Sequence, residues 1–400
     1  MDRREFLKSS AASVFGLGVG GAGASALAQE APKPSARIKR YNILGRTGLK
    51  VSDVSFGGGG LSDATLVEKA VELGVSFIDT APDYRASEET IGKVMPKYRD
   101  KVALATKICN LGTYPQHLPI NTPAEKIIEV VEASLKRLQT DRIDVLHVHA
   151  VGEGATDGIE RLKDPEVHKA FGTLKKAGKV RFLATSSHGP NNMVGCLDYA
   201  IECGQYDVIQ PSYNFMKFPG LDKVLEKAKQ KNIGVIAMKT QAGAKESNIE
   251  KFKAEGRSFA QAALKWALSN PAVSAAIITM RNMALIDEYV AASGEPLTAA
   301  DQRLLDRYAA SVAASYCRTG CGQCLGACPR RVAIADILRY NMYFEDYGHE
   351  RMAMESYANL PQESRPLACA GCSAPCQSAC PHGLPVRTAL LRAHENLSLA

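Results

Sequence analysis

Eight times between residues 53 and 292, a short apolar or β-branched run is followed by a stretch of helical period, and this alternation constrains the fold more than any other feature. The runs are "DVSFGG", "SFIDTA", "VALATK", "IDVLHVH", "VRFLATS", "DVIQPSY", "GVIAMK" and "SAAIIT". The stretches after them cover 61–73, 87–95, 123–138, 157–176, 189–204, 219–231, 258–269 and 282–292. Parallel neighbours need crossover helices, and eight strands within about 250 residues close into a barrel whose interior is filled by side chains. The alternative, an open doubly wound sheet, carries G-x-G-x-x-G after its first strand, and "FGGGGL" at 56–61 lacks that spacing. The expected class is α/β: a (β/α)8 TIM barrel over residues 41–300, then a small, mostly α-helical domain over 301–400.

Asp79, Lys107, His149, Ser186, Gln210 and Lys239 each stand at or just past the last apolar residue of a strand. In such a barrel these positions form the C-terminal rim, where residues distant in sequence share one pocket. Single polar residues there also occur as surface caps. The joint presence of Asp79, Lys107 and His149 favours a site. The loops 108–120, 150–165 and 240–257 carry no motif that names a substrate.

Eight of the eleven cysteines fall in two tetrads. Cys317, Cys321, Cys324 and Cys328 are spaced C-x3-C-x2-C-x3-C-P, and Cys369, Cys372, Cys376 and Cys380 are spaced C-x2-C-x3-C-x3-C-P. Both resemble the ferredoxin run C-x2-C-x2-C-x3-C-P with one residue added at one gap. Shifted by 52 residues, Val332 matches Leu384, Ile334 matches Val386 and Leu338 matches Leu390, so 314–400 reads as a degenerate duplication of a cysteine loop and a helix. The resemblance to two-cluster ferredoxin modules implies two [4Fe-4S] clusters, the last cysteine of each run serving the other run's cluster. One set is then Cys317, Cys321, Cys324 and Cys380, and the other Cys369, Cys372, Cys376 and Cys328. Zinc and disulfides are the competing assignments. Disulfide frameworks space cysteines more widely, and zinc sites separate two C-x2-C pairs by about a dozen residues or more. Cys109, Cys196 and Cys203 lie apart and read as buried, inert thiols.

At the other end, Arg3 and Arg4 precede Phe6-Leu7-Lys8, a Gly-rich, mildly apolar stretch and the small-residue pattern Ala26-Leu27-Ala28. This resembles a twin-arginine translocation signal over 1–28, with Asp2 where Ser or Thr is usual. Residues 29–40 then form a linker, Pro-rich in its first half. No later segment has the roughly 18 to 20 apolar residues of a membrane span. The net charge of +7 is scattered, which gives no nucleic-acid footprint.

The segments "YNILGRTGLKVSDVSFGG", "FIDTAPDYRASEETIG", "LATK", "RIDVLHVHA", "GKVRFLATSSH" and "DVIQPSYN" resemble, in order, the motifs of the aldo-keto reductases. The resemblance covers roughly 41–292 and implies a catalytic tetrad of Asp79, Tyr84, Lys107 and His149, with His147 as the less favoured histidine. A carbonyl that accepts hydride becomes an alkoxide and needs a proton. On this reading Tyr84 donates it, Lys107 lowers the Tyr84 pKa, Asp79 holds the ammonium, and His149 hydrogen-bonds the carbonyl oxygen. The resemblance further implies a nicotinamide cofactor, NADP or NAD, bound by Ser186, Ser187, Gln210, Met238, Lys239 and Arg281. Ser187 replaces an Asn, and Met238 stands where the family stacks an aromatic. Thr279 and Leu285 stand where cations hold the 2'-phosphate, leaving Arg281 nearby.

Together these features point to an exported iron-sulfur oxidoreductase that exchanges hydride with a small carbonyl or alcohol and relays electrons to a redox partner protein. A cluster is built in the cytoplasm, and the twin-arginine machinery accepts folded cargo, so the two ends of the chain agree. A cytoplasmic location is the alternative. The competing function is a non-catalytic electron-transfer or docking protein whose clusters alone are redox active.

Overall fold

The computed structural model describes residues 36–398 except 115, 153–157, 189–191, 217–219, 243–257, 314, 319–320, 347 and 349. The expected signal, 1–28, and most of the linker lie outside the described residues. A small antiparallel hairpin, β1 (Tyr41–Ile43) and β2 (Lys50–Ser52), comes first. Eight parallel strands follow: β3 (Val54–Gly57), β4 (Phe77–Asp79), β5 (Ala103–Ile108), β6 (Ile143–Val148), β7 (Val180–Ser187), β8 (Val208–Pro211), β9 (Gly234–Ala237) and β10 (Ala275–Thr279). They pair in sequence order and close through β10 against β3. Each falls within or beside one of the eight runs read from the sequence, so the barrel expectation holds.

Side chains alternate across each strand, and the two faces carry two separate cores. Phe77, Ala103, Ala105, Val145, Ala184, Val208, Ile236 and Ala275 meet inside the barrel. Ile78, Leu104, Leu146, Leu183, Ile209, Val235 and Ala276 face outward and pack in the core with the helices. The hairpin supplies Leu44 and Val51 to the inner core, so it plugs the N-terminal end. Its turn comes close to the sheet: Gly45 has φ +48°, and a Cβ there would lie 2.3 Å from the Gly234 nitrogen.

The helical stretch expected over 157–176 is two helices, Gly158–Lys163 and Pro165–Lys176. Pro165 lacks the N–H a continuous helix needs, and Asp164 accepts the Glu166 N–H at 3.0 Å to cap the second piece. Helix Ala299–Ser311 begins with a capping box made by Thr298 and Asp301. Its Leu304, Leu305 and Tyr308 pack with Phe215, Met216 and Phe259, and Lys265 bonds Asp301 at 2.8 Å. The sequence reading places these residues beyond the boundary at 300, yet they extend the barrel's helical shell.

The C-terminal part is mostly helical: Ile334–Glu345, Glu350–Ala358 and Val386–Leu397, with shorter turns around the cysteines. The first and last of these are 12 residues each and start 52 residues apart, as the duplication requires. A left-handed residue precedes both, Arg331 at φ 52° and Gly383 at φ 66°, and the paired positions Val332/Leu384, Ile334/Val386 and Leu338/Leu390 are all buried. Among the described residues no helix is long and apolar enough to cross a membrane.

Leu44→Ala removes a fully buried side chain from the plug. We expect it to destabilise the chain by about 2–5 kcal/mol, read as a lowered urea midpoint with unchanged far-UV circular dichroism before the transition.

Candidate active site

Strand parity builds the site. Phe77 and Asp79 share one face of β4, and Ala103, Ala105 and Lys107 share one face of β5. With Val145 and His147 of β6 they point into the barrel. The alanines beneath Lys107 leave room for its long chain to lie within the barrel. Lys107 Nζ donates to Asp79 Oδ1 at 2.9 Å, Asp79 Oδ2 at 2.8 Å and the Thr80 carbonyl at 2.7 Å. Both side chains are almost wholly buried, with 1% and 2% residue exposure for Lys107 and Asp79. Asp79 is fixed in turn from the backbone, where its carbonyl accepts the Gly58 N–H at 2.7 Å. Only glycine fits there, since a Cβ on Gly58 would stand 2.8 Å from that carbonyl.

Tyr84, half-buried in the loop after β4, lays its ring 4.8 Å from Lys107 Nζ and 5.9 Å, edge to face, from the His149 ring. The four expected residues Asp79, Tyr84, Lys107 and His149 therefore meet at the rim. His147 lies one step deeper, fully buried, with Nε2 4.0 Å from Asp79 Oδ1. Burial, then the charges of Lys107 and His149, push the His147 pKa well below its usual value, so it stays neutral.

The expected lowering of the Tyr84 pKa is not what this arrangement gives. Burial, followed by the negative charges of Asp79 and Asp83, drives the phenol well above its ordinary value. All three Lys107 bonds run to Asp79 and Thr80, and desolvation of the phenolate prevails. Tyr84 is thereby held as a neutral phenol.

Ser186, Ser187 and Gln210 are buried at the ends of β7 and β8. Ser186 Oγ accepts the Ala150 N–H at 2.9 Å and Ser187 Oγ donates to the Val151 carbonyl at 2.7 Å, so both serines also tie down the segment after His149. Gln210 Nε2 contacts Met238 Sδ at 3.9 Å, while its Oε1 is buried with no partner. An orphaned amide acceptor of this kind fits a ligand carboxamide N–H. Lys239 sits in the left-handed region at φ 56°, and Arg281 is exposed before helix Met283–Val290.

Six rim neighbours lie outside the residues expected from the sequence. Asp83, Tyr114 and His117 surround His149, whose ring lies 5.3 Å from Tyr114 and 5.5 Å from His117, and His188 lies against Tyr114. Cys109 is buried beside them. Two had a signal available: Asp83 adjoins Tyr84, and Cys109 is two residues past Lys107. Tyr343 had none. It reaches the rim from helix Ile334–Glu345, is 3% exposed, and stacks its ring 4.9 Å from Lys239 Nζ and 5.9 Å from Arg339. The Arg339 charge in turn lowers the Cys317 pKa against the larger effect of burial.

All the tetrad cysteines are free thiols. Burial pushes the Cys317 thiol up to about 12 and Cys324 up to about 11. The sulfurs whose charges act on Cys317 are Cys324, Cys321 and Cys380; those acting on Cys369 are Cys328, Cys372 and Cys376. Cys328, Cys369, Cys372 and Cys376 also line one small pocket. Among the described residues no three tetrad sulfurs lie mutually within 4.8 Å. A tetrahedral zinc site with Zn–S of about 2.3 Å would bring them to about 3.8 Å.

Residues 61–248 match the profile of the Aldo/keto reductase family. L-galactose dehydrogenase of Arabidopsis thaliana is 29% identical over 288 residues, which cover 63% of this chain and 87% of that protein. AAD6 of Saccharomyces cerevisiae, named as an aryl-alcohol dehydrogenase, is 32% identical over 144 residues, 30% of this chain and 68% of its own. Among solved structures, an assigned aldo-keto reductase of Pseudomonas aeruginosa superposes with a TM-score of 0.54 at 26% identity, over 64% of this chain and 96% of that one. The chain belongs to the aldo/keto reductase family. It is an oxidoreductase built on the eight-stranded barrel of that family.

Because its pKa is raised, Tyr84 should remain protonated past the ordinary value of 10.0. The absorbance difference between wild type and Tyr84→Phe, followed at the phenolate band, should show no ionisation below that pH. A phenolate signal near neutrality would contradict the assigned direction.

Proposed function

We propose that the barrel interconverts a small-molecule carbonyl and its alcohol with a nicotinamide, NADP or NAD, while the C-terminal module carries electrons through two [4Fe-4S] clusters to a redox partner protein. The observation that carries this reading is the Lys107 ammonium, held by Asp79 and the Thr80 carbonyl under the Tyr84 ring, with His149 across from it. When bound, the nicotinamide supplies a hydride. The chain's own residues do the rest. Tyr84 gives its phenolic proton to the oxygen as negative charge develops there. The fixed positive charge of Lys107 stabilises the phenolate left behind, and His149 holds the carbonyl oxygen. In the reverse direction the same groups accept the proton. Gln210, with Ser186 and Ser187, would hold the carboxamide; Met238 would lie against the ring, and Lys239 and Arg281 would supply cations for the phosphates.

Cys317, Cys321, Cys324 and Cys380 would ligate one cluster, and Cys328, Cys369, Cys372 and Cys376 the other. Both sets follow the electrostatic neighbours of Cys317 and Cys369. Bound clusters supply one-electron redox chemistry. Tyr343 at the rim and Arg339 beside Cys317 share one helix, which supports a functional link between barrel and module. Export in the folded state by the twin-arginine route, to the periplasm, fits clusters assembled before translocation.

Protein isolated under argon is expected to contain about eight iron and eight sulfide per chain, as two four-iron clusters require. Tyr84→Phe should keep that content and lose about 10²- to 10⁴-fold in nicotinamide-dependent aldehyde reduction. Unchanged reduction in the variant would remove the catalytic reading and leave the electron-transfer or docking protein.

A further inference from the structure

We infer that Asp83, Cys109 and His149 form a binding site for one borderline-soft divalent cation, zinc by the chemistry of its donors, on the Nδ1 side of His149. One ligand atom from each of the three lies within 4.8 Å of the other two. All three residues are buried, at 1%, 0% and 2% exposure. They converge from three segments: the loop after β4, the end of β5 and the end of β6.

Two polar atoms in this pocket have no hydrogen-bond partner, Asp83 Oδ1 and His149 Nδ1. The nearest approach between the two side chains, Nδ1 to Asp83 Oδ2, is 3.5 Å, longer than a good N–H···O bond. A buried carboxylate and imidazole left in this state carry a desolvation cost that a shared cation would relieve. The donor set of one sulfur, one nitrogen and one oxygen suits zinc, and three protein ligands leave a fourth position open. Tetrahedral donors at zinc stand about 3.3 to 3.8 Å apart, so closing the pocket needs only side-chain adjustment.

The charges also balance. Binding converts the Cys109 thiol to a thiolate and releases one proton, so a divalent cation meets two anions and a neutral imidazole, and the buried site carries no net charge. With Nδ1 on the metal, the remaining ring proton of His149 is fixed on Nε2, which makes the histidine a permanent hydrogen-bond donor. This consequence rests on the role proposed for His149 at the carbonyl oxygen; the cation site itself does not.

The test uses the full chain, purified under argon with its iron retained and dialysed against micromolar zinc. Zinc per chain is measured by mass spectrometry and its ligands by X-ray absorption at the zinc edge. We expect one zinc with a single sulfur and otherwise nitrogen and oxygen neighbours. Cys109→Ser and Asp83→Asn should each weaken its retention at least about tenfold at unchanged iron content. Should one variant fail to fold, the other decides. No retained zinc, an all-sulfur shell, or equal retention in a folded variant would overturn the site. Zinc is read here without turnover, so loss of the catalytic reading in Tyr84→Phe and loss of this site are separate results.

Discussion

The buried pair of Asp79 and Lys107 is the constraint around which the rim is arranged. Taking two charges out of water costs several kcal/mol per ion, and that cost is offset only by close geometry and further hydrogen bonds. Here the ammonium makes bonds of 2.7 to 2.9 Å to three oxygens. The carboxylate is placed by a strand end whose carbonyl is itself held by Gly58. The small residues Ala103 and Ala105 below and the Tyr84 ring above complete the enclosure. The rest of the site follows from fixing this cation: it faces the Tyr84 ring, which stands edge to face with His149, and it adds to the burial that keeps His147 neutral.

The C-terminal module adds a layer that a plain barrel lacks. Helix Ile334–Glu345 packs Ile334, Ile337, Leu338 and Tyr343 into the module core, and the Tyr343 ring also lies 4.9 Å from Lys239 Nζ at the rim. Arg339 lies between Tyr343 and the first cysteine group. The duplication makes such a helix possible, since the matching helix Val386–Leu397 supplies the core against which it rests.

Much of this was readable from residues. Alternation of short apolar runs and helical period gave the barrel, and position at the strand ends put Asp79, Lys107 and His149 at one rim. The spacing of 52 residues gave two equal helices. What escaped was non-local or energetic. The hairpin strands are three residues each, too short for a periodic signal. Helix Ala299–Ser311 is amphipathic, but nothing in it says which core it covers. Tyr343 is one aromatic residue among many until the fold brings it to Lys239. The direction of the Tyr84 shift depends on burial, and a motif does not disclose how far a phenol is desolvated.

The most direct test of a single working unit is electron paramagnetic resonance on anaerobic protein mixed with NADH or NADPH. If barrel and module act together, the signal of reduced clusters should grow in wild type and stay absent in Tyr343→Ala that retains full iron. Clusters that remain oxidised while the barrel reduces an aldehyde at the same nicotinamide concentration would contradict the account.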